Sequence, residues 1–267
     1  MNRVVMDSIS LYQVDVFTNK LFTGNPAAVC PLEEWLSDEV MLSIASENNL
    51  SETAFVNINS SPFFIRWFTP TTEVDLCGHA TLATARILFD EYLPKNIGEI
   101  IFNSQSGELK AFKKDDLIYL DFPKDEPRQV EGRSLITQGL GKRPIDLLKG
   151  KDDFLAIFED EQVIKSMNPN FKKISELDSR GLIISARGVS EDFVSRCFYP
   201  QSGIDEDPVT GSAHTLLVPY WVEMLKKNKL LARQRSSRGG FLKCQLLGDR
   251  VLIGGSSVRY MQGKITL

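Results

Sequence analysis

Two segments of the chain are apolar on nearly every face. Around Ala80, Leu82, Ala83, Ala85, Ile87 and Leu88, and again around Ala213, Leu216, Leu217, Val218, Tyr220 and Trp221, a helical repeat leaves little polar stripe. Helices of that kind are buried on all sides. The pattern predicts helices from Gly78 to about Tyr92 and from Gly211 to about Lys227, the second kinked by Pro219. β-Rich runs flank both. Residues 54–58 and 63–68 precede the first helix, and 99–103, 108–112 and 117–122 follow it. Residues 181–186 and 194–199 precede the second, with 241–247 and 250–255 after it. A separate helix is predicted from Ser37 to about Asn48, with Ser37 as its N-cap.

This order of elements occurs twice because the sequence itself recurs. Arg66, Phe68 and Pro70 answer Arg196, Phe198 and Pro200 at an offset of 130 residues. Gly78 and Ala80 answer Gly211 and Ala213 at an offset of 133, which also relates Ser104, Gly107, Leu109 and Lys110 to Ser237, Gly240, Leu242 and Lys243. One three-residue insertion between Pro200 and Gly211 accounts for the change. The expected fold class is α+β: two pseudo-symmetric domains, each a β-barrel-like curved sheet around a central buried helix. Residues 1–122 would form the N-terminal repeat and 128–267 the C-terminal one, with an active-site cleft between them. The proline-flanked charged segment Pro123–Pro127 would mark the boundary.

Composition narrows the class without naming it. With 267 residues, 42% hydrophobic and 25% charged, the chain has ample material for a packed core. Lys and Arg number 31 against 35 Asp and Glu, a net charge of −4, which disfavours nucleic acid as a partner. The basic stretch from Lys226 to Arg238 carries no interleaved aromatics and reads as a solvated helix end and loop. Four dispersed cysteines and only two histidines argue against a zinc site. Met1 to Gln13 lacks the apolar run of a leader, and no stretch approaches the ~20 apolar residues of a membrane helix. A cytoplasmic protein with no membrane partner is expected. Gly139–Arg143 lacks the spacing of a phosphate loop, and no dinucleotide or nucleophile-elbow motif is present.

Candidate chemistry gathers at the two helix starts. A helix N-terminus presents unpaired N–H groups and partial positive charge, so Gly78 and His79, and Gly211 and Ser212, could hold a carboxylate. Glycine also opens helices that bind nothing. His79 lies in the first turn and could face a substrate, whereas His214 reads as a buried, hydrogen-bonded histidine. Asp207, before Pro208, is either a turn residue or a carboxylate that accepts from a substrate amine or hydroxyl. Cys77 could be a base or nucleophile at the helix start, or a small apolar residue. Its counterpart in the second repeat is Thr210, which no two-thiol racemase could use. Glu52, between the first helix and a strand, is either a solvated strand end or a desolvated carboxylate. In the second case its pKa would rise from about 4.3 toward ~6–7, suited to general acid–base work.

The segments Phe22–Val29, Asn49–Phe55, Leu76–Thr81 and Asp207–His214 together resemble the PhzF-like isomerase family of phenazine biosynthesis. The motifs run in family order from residue 10 onward. The resemblance implies a diaminopimelate epimerase-like fold, a homodimer, a biosynthetic role and catalysis without metal or organic cofactor. It implies that Glu52 moves a carbon-bound proton as general acid and base. It further implies that His79 and Asp207 contact a small cyclic carboxylate whose acid group is held by Gly78, Gly211 and Ser212. Two alternatives remain at this point: an amino-acid epimerase using Cys77, and a non-catalytic ligand- or protein-binding member of the same scaffold.

Overall fold

The computed structural model describes residues 8–267; Met1–Asp7, part of the segment without a leader signature, lie outside them. The chain divides into two compact units, one running up to Leu120 and resumed by Gly255–Leu267, the other Asp121–Gly254.

In the first unit, strand Ser8–Val16 lies antiparallel to Asn25–Leu32, which runs parallel to Thr53–Asn57. Phe63–Phe68 continues the sheet antiparallel, then Glu99–Ser104 parallel and Gly107–Lys114 antiparallel. The second unit follows the same sequence of orientations. Asp146–Lys149 is antiparallel to Asp153–Ile157, which runs parallel to Gly181–Arg187; Phe193–Tyr199 is then antiparallel, Lys229–Gln234 parallel and Gly240–Leu247 antiparallel. Arg250–Gly255 extends the second sheet. The duplication read from scattered residues is thus carried by the whole strand order.

Side chains repeat as well. Arg66 forks onto Glu73 with bonds of 2.7 and 2.6 Å and lies over the Phe68 ring. Arg196 forks onto Glu206 with bonds of 2.7 and 2.9 Å and lies over the Phe198 ring. A two-bond arginine–carboxylate pair fixes geometry as well as charge. Each fork ties a central strand to the short strand that follows it, and so sets the path of the chain toward the next helix.

Each unit packs its strands against one central helix. In the second, His214–Leu225, the side chains of Leu216, Leu217, Val218, Tyr220 and Trp221 are buried, while Glu223 and Met224 in the last turn are exposed, so that helix is not buried on all sides. Gly78–Ile87 is buried at every position except Arg86 and packs on strands 8–16, 25–32 and 53–57. Its last turn relaxes into a π-helical turn, Leu88–Tyr92, so the expected helical length is present in two forms. Helix Asp38–Asn48 covers the opposite face of the first sheet through Met41, Ile44 and Ala45 against Cys30, Leu32, Phe55 and Phe68. Strands 25–32 and 53–57 are therefore buried on both faces, which is why they read as continuous apolar runs. Ser37 caps this helix, accepting from the Val40 N–H at 3.4 Å.

Two boundaries differ from expectation. The second central helix begins at His214, not Gly211: Gly211–Ala213 form a tight turn in which the Gly211 carbonyl accepts from the His214 N–H and the Ser212 carbonyl from that of Thr215. These i to i+3 bonds are those of a 3₁₀ turn, a common helix entry. Pro219 lies inside the helix, and the carbonyl of Thr215, which it cannot serve, accepts instead from the Asp125 N–H at 3.1 Å. The second difference concerns the repeat limits 1–122 and 128–267. Residues 255–267 group with the first unit because strand Ser257–Thr266 pairs antiparallel with Ser8–Val16, from Ser8 opposite Thr266 to Val16 opposite Ser257.

Candidate active site

Glu52 owes its position to two opposed requirements. Helix Asp38–Asn48 ends at Asn49 in the left-handed conformation (φ 48°), and the next residues must turn sharply into strand Thr53–Asn57. The Glu52 carbonyl accepts from the Ala28 N–H at 3.2 Å, which docks the strand entry onto the neighbouring strand. The side chain is left half-buried, with its Oε2 3.2 Å from Nε2 of His79. His79 is buried in the first turn of its helix, and its Nδ1 lies 3.5 Å from the Cys77 sulfur. Burial alone drives the His79 pKa down to about 4, so the ring is neutral near pH 7. Cys77 takes the N-cap position in extended backbone, and its carbonyl accepts from both the N–H and the hydroxyl of Thr81. Glu52, Cys77, Gly78 and His79 therefore form one cluster in the first unit.

Among the described residues, Glu52, Cys77 and His79 offer a carboxylate oxygen, a sulfur and an imidazole nitrogen within 4.8 Å of one another. Such a set has the chemistry to hold a divalent cation. The imidazole, however, turns Nε2 to the carboxylate and Nδ1 to the sulfur. An ion shared by Glu52 and Nε2 would sit away from the nitrogen nearest the thiol. The ring bridges the other two groups better than an ion would.

The second unit assembles Asp207, Thr210, Gly211 and Ser212. Asp207 closes strand Ile204–Asp207, is buried, and its carboxylate accepts a short hydrogen bond from the Thr210 hydroxyl. Gln234 pins the turn that follows. Its Nε2 donates to the Asp207 carbonyl at 2.8 Å and its Oε1 accepts from the Thr210 N–H at 2.8 Å. The Thr210 carbonyl lies 2.8 Å from His214 Nδ1, which must carry a proton to donate there. The Ser212 hydroxyl receives the Arg180 guanidinium at 3.3 Å. Arg180 is held by Asp153, through Nε at 3.0 Å and a shorter bond from Nη2, and lies over the Tyr199 ring. His214 is the fully buried, hydrogen-bonded histidine expected, its pKa lowered to about 4 chiefly by burial.

Two of these residues went unnoticed in the sequence. Gln234 carried a signal: in strand Lys229–Gln234 alternate residues Leu230, Ala232 and Gln234 are buried, so a polar residue falls on the inward register. Arg180 carried none, since its partners Asp153 and Ser212 are distant in the chain and follow no local spacing.

The sequence matches the model of the phenazine biosynthesis-like protein family, PhzC-PhzF, over residues 14–263. The chain belongs to this family. A Pseudomonas aeruginosa relative named as an uncharacterized isomerase is 47% identical over 260 residues, spanning 97% of this chain and 99% of its own. The crystal structure of a PhzF-family phenazine biosynthesis protein from Enterococcus faecalis matches with a TM-score of 0.94 at 44% identity, over 97% of this chain and 100% of that one. A structure described as a predicted epimerase from P. aeruginosa, 18% identical with a TM-score of 0.78 over 97% and 99% of the two chains, shares the fold alone. The protein is an isomerase of the PhzF type. Among its described residues no helix is long and apolar enough to cross a membrane.

Proposed function

We propose that this PhzF-type isomerase moves a carbon-bound proton on a small cyclic carboxylate, with Glu52 as both general base and general acid. The observation that carries the reading is the half-buried Glu52 carboxylate 3.2 Å from a neutral, buried imidazole. A carboxylate so placed can accept a proton from a substrate C–H brought against its partly exposed edge. It would take the proton from one carbon while the electron pair moves into the adjoining π-system. As the acid it would return that proton to another carbon, so the step balances without an external donor or a cofactor. His79 and Asp207 would meet polar groups of the substrate, while Gly78, Gly211 and Ser212 would hold its carboxylate. A Cys77-based epimerase is less supported. The thiol faces His79, and the hydroxyl of Thr210, its counterpart in the repeat, is donated to Asp207.

The test is deuterium uptake in D₂O followed by NMR, with cyclic hydroxy- and amino-carboxylates including dihydro-hydroxyanthranilate. Label entering carbon with the native protein and not with Glu52→Gln is the expected result. Label that persists in Glu52→Gln overturns the assignment, and binding without any exchange favours a ligand-binding member of the scaffold. The homodimer implied by the family resemblance and the cytoplasmic setting expected from composition belong to the same reading; sedimentation tests the first.

A further inference from the structure

The two ring nitrogens of His79 face different partners, and that difference decides where its single proton resides. A neutral imidazole has one N–H and one lone pair. On the Nε2 side stands the Glu52 carboxylate, an acceptor when ionised. The contact is bent away from ideal hydrogen-bond alignment, yet at 3.2 Å a lone pair turned toward that oxygen would be repelled. On the Nδ1 side stands the Cys77 sulfur at 3.5 Å. A thiol is a weak donor and a weaker acceptor, whereas an imidazole lone pair accepts well, so the S–H is the natural partner of a bare Nδ1. Burial and the positive end of the helix dipole both oppose a second proton on the ring.

We infer that Cys77 is a positioning residue: its thiol donates to Nδ1 of His79 and thereby fixes the ring as the Nε2–H tautomer facing Glu52. This rests on Glu52 being the proton carrier and adds to it a reason why the carried proton is not lost. With the opposite tautomer, a protonated Glu52 would donate its O–H to a bare Nε2, and the proton would be held by the ring. With Nε2–H in place the ring presents a donor and no lone pair on that side, so a protonated Glu52 cannot donate to it and its O–H turns to the substrate. Cys77 touches neither substrate nor proton in this account.

The chain suits a direct test because it has only two histidines, and the second is an internal reference. His214 donates from Nδ1 to the Thr210 carbonyl, so the two rings should be opposite tautomers. Long-range ¹H–¹⁵N spectra of the full chain labelled at histidine, recorded at pH 7 without substrate and assigned with His79→Gln, should show His79 protonated at Nε2 and His214 at Nδ1. In Cys77→Ala the two His79 nitrogen shifts should move toward each other as the tautomers mix, with His214 unmoved. Cys77→Ser, a stronger donor, should keep the native pattern. An Nδ1–H tautomer for His79 in the native protein, or His79 shifts unchanged in Cys77→Ala, overturns the inference. The measurement is independent of turnover. Exchange that survives Glu52→Gln would defeat the base assignment while leaving the tautomer result intact, and the reverse holds equally.

Discussion

Replacing Gln234 with methionine should cost about 4 kcal/mol of stability and release the turn that carries Asp207 and Thr210. The side chain is fully buried and serves two main-chain groups, the Thr210 N–H and the Asp207 carbonyl, each at 2.8 Å. Methionine is close to glutamine in length and opens no large cavity, so the loss comes from two buried polar groups left without partners. Each such group costs roughly 1–3 kcal/mol, which puts the pair at about 4 kcal/mol and makes it a large share of a typical domain's 5–15 kcal/mol. Urea unfolding should show a lower midpoint at unchanged slope, because the surface exposed on unfolding is the same. Hydrogen exchange should localise the effect, with the Thr210 amide losing protection before the surrounding strands. Gln234→Glu separates the two bonds, since it keeps an acceptor for Thr210 and removes the donor to Asp207. A loss below about 1 kcal/mol in Gln234→Met, or a Thr210 amide still protected, would refute this account of the turn.

Glu52→Gln should lower the deuterium exchange rate by roughly 10²–10⁴-fold with little change in the unfolding midpoint, which an exchange assay paired with a urea melt checks. Burial holds His79 and His214 neutral with pKa values of about 4 against an ordinary 6.5. Below pH 6.5 the unfolded chain binds protons that the folded chain refuses, so stability falls as the pH drops from 6.5 toward 4. The slope should approach about 1.4 kcal/mol per pH unit for each ring, and a midpoint flat between pH 6.5 and 5 would contradict it. Arg180→Met strands the buried Asp153 carboxylate and should cost about 2–4 kcal/mol, less than a fully buried pair because Arg180 is partly exposed. Adding Asp153→Leu should recover part of that loss in a double-mutant cycle. Gly181→Ala would put a Cβ 2.2 Å from the Tyr199 ring and 2.5 Å from the Phe198 carbonyl, a strain of about 1–3 kcal/mol measurable by thermal melting.

What could be read from the sequence was whatever local chemistry enforces. An all-apolar helical stretch has to be buried, and a glutamate between Leu50 and Phe55 invites a question that Glu52 answers by standing beside His79. The duplication was legible at Arg66 and Arg196 because each must face a carboxylate in the same place; Glu73 and Glu206, spaced by the later offset, are those partners. Strands 25–32 and 153–157 hold equivalent places yet share little sequence, since a strand buried on both faces asks only for apolar bulk. Arg180 with Asp153 and Ser212, and strand 257–266 with strand 8–16, are pairings across long separations that no local pattern encodes. The His214 helix start was misplaced because glycine at 211 suits a tight entry turn as well as a first helical residue.

The return of strand Ser257–Thr266 to Ser8–Val16 reverses the order in which the ribosome can finish the two units. The whole of the second unit is synthesised before the first receives this strand, and domains generally complete as units during translation. Until then Ser8–Val16 is hydrogen-bonded on the Asn25–Leu32 side only, and its other edge is a row of unsatisfied amides and carbonyls open to other nascent chains. Of the two units, the one begun first is thus the one completed last, and premature termination after the second unit would leave that edge exposed.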